Sequence, residues 1–179
     1  MAHGVGVSTQ TIAQSLGMSQ ANIFKRFGTK ANLIKLALLH SIDSHPIFGM
    51  LAEPPQKGRA LDQIQRVCMG LVNFFDTQLP YMLMLKSAGF DIPNMMKGNT
   101  VSPPIRMRKL LTSWFDVLKR DREIREISSQ GLTMIVLGAV QHRAFRKHIL
   151  DDLVFESDQR FVRSIIDIFW CGISCGEKY

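Results

Sequence analysis

Apolar side chains recur at three- and four-residue intervals along almost the whole chain, and that period admits helices and little else. Between residues 59 and 78 the series Leu61, Ile64, Val67, Cys68, Leu71, Phe74 and Phe75 marks one continuous helical face. Period-two alternation is scarce, and no Asn-Gly or Asp-Gly turn joins two alternating runs. The expected fold class is all-α. At 179 residues, 46% hydrophobic and 21% charged, the chain can bury a real core, which excludes a disordered segment.

Polar and glycine punctuation divides the chain. Ser8 caps a short helix holding Ile12, Ala13 and Leu16, and Gly17 ends it. Ser19 caps a second helix, Gln20 to Phe27, stopped by Gly28. Thr29 caps a third, Lys30 to about Ser44, with Leu33, Leu36 and Ala37 on one face and Leu38 and His40 beside it. Pro46 and the stretch Glu53 to Gly58 predict a break. Helices are then expected from Arg59 to Gln78, from Tyr81 to Ala88 with Pro80 in the first turn, and from Ile105 to Arg122. Asp91 to Pro104 reads as a loop. Two last helices, Ser128 to Ile149 and Asp158 to Ile173, are more apolar than one buried stripe requires.

Several function classes drop out. Three cysteines, Cys68, Cys171 and Cys175, form no Cys-x-x-Cys pair, and reduced thiols suit a cytoplasmic protein. The histidines His3, His40, His45, His142 and His148 lack ligand spacing with them, so no metal and no other cofactor is expected. No apolar window approaches a membrane span, and the opening MAHGVGVSTQ has no signal-peptide pattern. A small helical enzyme remains an alternative, but no His-Glu-x-x-His, phosphate loop or Gly-x-Ser-x-Gly pattern supports it.

Residues 8–33, STQTIAQSLGMSQANIFKRFGTKANL, carry the most information. Two short helices joined at Leu16-Gly17-Met18-Ser19 form a helix-turn-helix. Ile12, Ala13 and Leu16 pack the first helix, and Met18, Ile23 and Phe27 face inward from the turn and second helix. Gln20, Ala21, Asn22, Phe24 and Lys25 are left on the outer face. Gln20 and Asn22 suit base edges, and Ala21 suits a thymine methyl. Ser19, Lys25, Thr29 and Lys30 suit phosphate oxygens. Ser19 and Thr29 have a second reading as plain caps, and Phe24 as a core residue beneath the third helix. The formal charge of +7 suits a polyanionic partner but is common among unrelated proteins.

The segment resembles the DNA-binding head of the TetR family of transcriptional regulators. Ile12-Ala13, Gly17, Ser19, Ile23-Phe24, Phe27, Lys30 and Leu33 carry the resemblance in order and spacing. It implies an all-helical homodimer, a head over residues 1–45 and an effector-binding and dimerisation body over 46–179. It also implies a double-stranded, palindromic DNA operator from which a small effector releases the protein as a repressor. The family's recognition helix falls on Gln20 to Phe27, with Phe24 where tyrosine is usual. The family places a further helix ahead of this segment, which the seven residues before Ser8 do not supply. A head lacking it is expected to be weakly stable and impaired in DNA binding, and the chain would then be a helical dimer without that activity.

In the body, Met69, Phe74, Phe75, Met82, Met84, Trp114 and Phe115 are expected either to line a pocket for a hydrophobic effector or to serve as core. The wide apolar faces of the last two helices point to a second copy. Met134, Leu137, Gln141, Phe161, Ile165, Ile168 and Phe169 are the expected seam, and the resemblance implies a four-helix bundle there.

Overall fold

A computed structural model describes residues 6–96, 102–152 and 157–173. His3, Cys175, most of the opening stretch and part of the expected loop before Pro104 lie outside the described residues. The described residues form nine helices and no β-strand. They are α1 (Thr9–Ser15), α2 (Gln20–Phe27), α3 (Lys30–Asp43), α4 (Pro46–Ala52), α5 (Ala60–Ser87), α6 (Ile92–Met95), α7 (Pro103–Arg120), α8 (Ser129–Ile149) and α9 (Asp158–Ile173). The all-α expectation holds.

α5 is the axis of the body. It packs against α4, α8 and α9, and α7 closes the core against α4 and α8. Leu71 on α5, Leu111 on α7 and Val162 on α9 have no more than traces of exposed surface. Each such side chain contributes roughly 1.5–3 kcal/mol by leaving water. Trp114 and Phe115 meet edge to face at 5.7 Å and are both buried. Burial pushes the Cys68 thiol up to about 12, which leaves it unreactive as a thiolate.

Four features depart from the sequence reading. Pro46 opens a helix where a break was expected. Its preset φ suits the first turn, the His45 Nδ1 atom accepts the Ile47 N–H at 3.3 Å, and Ile47, Phe48 and Leu51 are buried beneath. Pro80 does not divide two helices, because α5 runs unbroken for 28 residues. The ring removes one helical N–H, that facing the Asp76 carbonyl, while Gln78 and Leu85 on either side stay buried. The expected loop holds the short α6, and α7 begins at Pro103, two residues early. The inner face of α3 is also rotated. Leu38 and Ile42 are buried and Ile34 packs on the core, whereas Leu36 and Ala37 face solvent and Leu33 is half-buried. Apolar residues lie all round α3, so its period alone does not select a face.

α3 is tied to α5 and α7 as well as to α2. The Gln78 amide donates to Ser41 Oγ at 3.3 Å, and Arg106 pairs with Asp43 at 2.9 Å while lying over the Phe48 ring.

A second set of ties is ionic. Asp76 on α5 is largely buried and accepts from Lys147 Nζ at 2.6 Å, His148 Nε2 at 3.1 Å and Arg143 at 3.3 Å, all on α8. Arg143 also pairs with Asp158, so one guanidinium links α5, α8 and α9. Burial alone would raise the Asp76 carboxyl. Hydrogen bonds from Lys147 and His148 and the charges of Lys147 and Arg143 outweigh that effect and hold it below its ordinary value of 3.8. A carboxylate depressed in the folded state contributes stability above 3.8 and loses it as pH falls below. Asp76→Asn is therefore predicted to cost about 3 kcal/mol in urea unfolding at neutral pH. The difference from the parent should shrink as pH drops below 3.8; a difference independent of pH would contradict the ionic account.

Candidate nucleic-acid interface

The amino-terminal helices are set by local chemistry. Ser8 Oγ accepts the Thr11 N–H at 3.0 Å, Ser19 Oγ the Asn22 N–H at 3.2 Å, and Thr29 Oγ1 the Asn32 N–H at 3.1 Å. Each replaces a missing partner at a helix start. Gly17 takes φ +63°, a conformation other residues adopt at a cost, and so reverses the chain between α1 and α2. The following N–H, of Met18, returns to the Ala13 carbonyl at 2.9 Å. Ala13 of α1 and Ile23 of α2 are both buried where the two helices pack. Met18 and Phe27 are half-buried, and Leu16, expected to pack, is 60% exposed.

The crossing turns one face of α2 outward. Ala21, Asn22 and Lys25 are exposed, and Phe24 is 42% exposed. Phe24 therefore lies on the outer surface and not in the core. Gln20 is exposed as a residue, but its amide donates to Thr9 Oγ1 at 2.7 Å and braces α2 against α1. Asn32 makes the corresponding brace to α3, donating to the Phe27 carbonyl at 2.8 Å. Ser19 and Thr29 are exposed, and Lys30 is half-buried. Because both hydroxyl oxygens act as acceptors in the caps, their O–H groups remain able to donate to a phosphate. The sequence reading missed Arg26, an exposed cation over the Phe27 ring at 5.6 Å; its signal was the adjacent pair Lys25-Arg26.

The seven expected pocket residues do not converge on one space. Phe74, Phe75 and Met82 line a small, partly open cavity of about 80 Å³, walled also by Ile42, Met96 and Met107. Leu137 and Gln141, expected at a seam, line the same cavity. Met84 borders a separate apolar hollow between α3 and α5. Met69 faces an outer groove, and Trp114 and Phe115 lie in the core.

The expected seam residues divide by exposure. Met134 is 65% and Ile168 82% exposed, whereas Phe161, Ile165 and Phe169 are half-buried. Ile135, Phe145, Ile149 and Leu150 add exposed apolar surface on and beside α8 that the sequence reading did not name. Among the described residues no three His, Cys, Asp or Glu side chains are arranged to hold a metal, and no helix is long and apolar enough to cross a membrane.

No known family profile and no curated relative matches the chain. A solved structure does: a candidate TetR-family transcriptional regulator from Mesorhizobium loti. The two are 15% identical, with a TM-score of 0.75 over 94% of this chain and 87% of the other. At that identity the likeness establishes a shared fold, the TetR-like all-helical architecture that residues 8–33 resemble in sequence.

Proposed function

We propose that the chain is a DNA-binding transcriptional regulator, a homodimer whose α2 enters the major groove of a palindromic operator. The observation that carries this reading is the outward face of α2. Ala21, Asn22, Phe24 and Lys25 share it, while Ile23 is buried behind them, the Ser19 cap fixes the start of α2 and Gly28, whose N–H returns to the Phe24 carbonyl, fixes its end. Asn22 offers a bidentate contact to adenine and Ala21 a methyl contact to thymine. Gln20 reaches a base only by giving up or sharing its bond to Thr9. Ser19, Lys25, Thr29 and Lys30 supply phosphate contacts, which fix register without reading sequence.

The TetR-like fold supports the same reading, with residues 1–45 as head and 46–179 as body. The exposed apolar side chains of α8 and α9, Met134, Ile135 and Ile168 foremost, suit a four-helix bundle with a second copy. Such a dimer spaces two recognition helices by about 34 Å, one DNA turn, or a multiple of it. A small hydrophobic effector suits the cavity beside Phe74, Phe75 and Met82. One wall of that cavity is Ile42 of α3, the helix that leads to the head. Swelling the cavity would press on that helix, which is how an effector would release a repressor from its operator in the cytoplasm. Catalysis has no part in this reading.

Two measurements test it. Lys25→Ala is predicted to weaken binding to specific and random duplexes alike and to reduce the slope of log K against log salt by about 1. An unchanged slope removes Lys25 from the phosphate contacts. Ile168→Asp is predicted to yield monomers in sedimentation, since a buried seam does not accept an unpaired carboxylate. Retention of a dimer moves the seam off α9.

A further inference from the structure

α4, α5 and the start of α9 enclose an outer groove of about 1130 Å³, apart from the small cavity beside Phe75. From α5 it receives Asp62, Arg66, Met69 and Asn73, whose spacing sets them on one helical face. α9 adds Arg160 and Arg163, and α4 adds Met50 as an apolar floor, with the buried Ile47 behind it. Gly70 lets that floor close: a Cβ there would stand 2.9 Å from Ile47 Cδ1.

The charge in this groove is unbalanced. Elsewhere Arg106, Arg143 and Arg146 are each matched by an aspartate. In the groove, Arg59 lies 3.6 Å from Asp62, the carboxylate among the described lining residues. The guanidinium groups of Arg66, Arg160 and Arg163 have neither an ion pair nor a hydrogen bond among the described residues. Three unmatched cations along one concave surface raise the local positive potential, which an anion relieves. Guanidinium groups match phosphate oxygens in pairs of parallel hydrogen bonds. Three of them suit a dianionic head better than a singly charged carboxylate. Met50 and Met69 are flexible and conform to an apolar chain of irregular shape.

We infer that this groove binds an organic phosphate, its head held by Arg66, Arg160 and Arg163 and its apolar portion laid on Met50 and Met69. The inference stands apart from DNA binding and from the hydrophobic effector. An occupant also borders His45, one of the two residues between α3 and α4, whose Nε2 lies 3.1 Å from Asn73 Oδ1.

The test is calorimetric titration of the full chain with octyl phosphate below its micelle-forming concentration, beside octan-1-ol, inorganic phosphate and octanoate. Octyl phosphate is expected to bind more tightly than all three. Affinity should fall roughly tenfold in R66A and further in R160A/R163A, with R108A, an exposed cation on α7 outside the groove, unchanged. All four arginines are exposed, so the variants should keep the parent's helical circular dichroism and melting temperature. Loss of binding in R160A/R163A with R108A retained sustains the site. Undetectable binding by the parent, or equal affinity in the parent and R160A/R163A, overturns it. Octanoate binding as tightly as octyl phosphate overturns the phosphate assignment.

Discussion

Burial of one side of α5 is the constraint on which the other helices depend. Ile64, Val67, Cys68, Leu71 and Val72 form a dry strip down its length, and α4, α8 and α9 each cover part of it. None of the covering helices has a comparable partner elsewhere, apart from the contacts of α7 with α4 and α8. The hydrophobic term is non-directional, so it brings these helices together without fixing their register. Register comes from the ionic knot at Asp76, which has definite donors on α8, and from Arg143, which reaches on to Asp158. The carboxyl end of α9 is pinned separately, by the Arg125 N–H donating to the Ile173 carbonyl at 2.7 Å.

The head obeys different physics. Its helices are too short to be stable alone, and each rests on a capping hydroxyl and a small contact at Ala13 and Ile23. Most side chains of α1 and α2 stay in water. The connection to the body runs through α3. Its amino-terminal end is capped in the head, and its Leu38 and Ile42 belong to the body's core. A change in the packing around Ile42 or Gln78 would therefore bear on the helix that also packs against α2.

What was legible in the sequence follows from how local the physics is. Ser8, Ser19 and Thr29 act on amides three residues away, and Gly17 acts on its own φ, so the helix-turn-helix could be read from neighbouring letters. α4 could not, because seven residues carry too little periodicity and its stability comes from Ile47, Phe48 and Leu51 meeting other elements. Pro80 misled for the same reason: its local cost is plain, while the burial of Gln78 and Leu85 that carries the helix past it is not. Residues around cavities were the least legible. Phe74, Phe75 and Met82 come together with Leu137 and Gln141 of α8, and Arg66, Arg160 and Arg163 come to line one groove only once α5 and α9 have docked. The bond from Gln20 to Thr9 likewise depends on the angle between two helices, which the residues of α2 do not reveal by themselves.

The central claim is that the outer face of α2 reads base sequence and that two copies do so together. Selection of bound duplexes from a random pool tests it most directly. The account predicts enrichment of a palindrome whose half-sites lie about one helical turn apart, or a multiple of it, and loss of preference at specific positions in Asn22→Ala. A bound pool with the same base composition as the input, however tightly it is held, would contradict it.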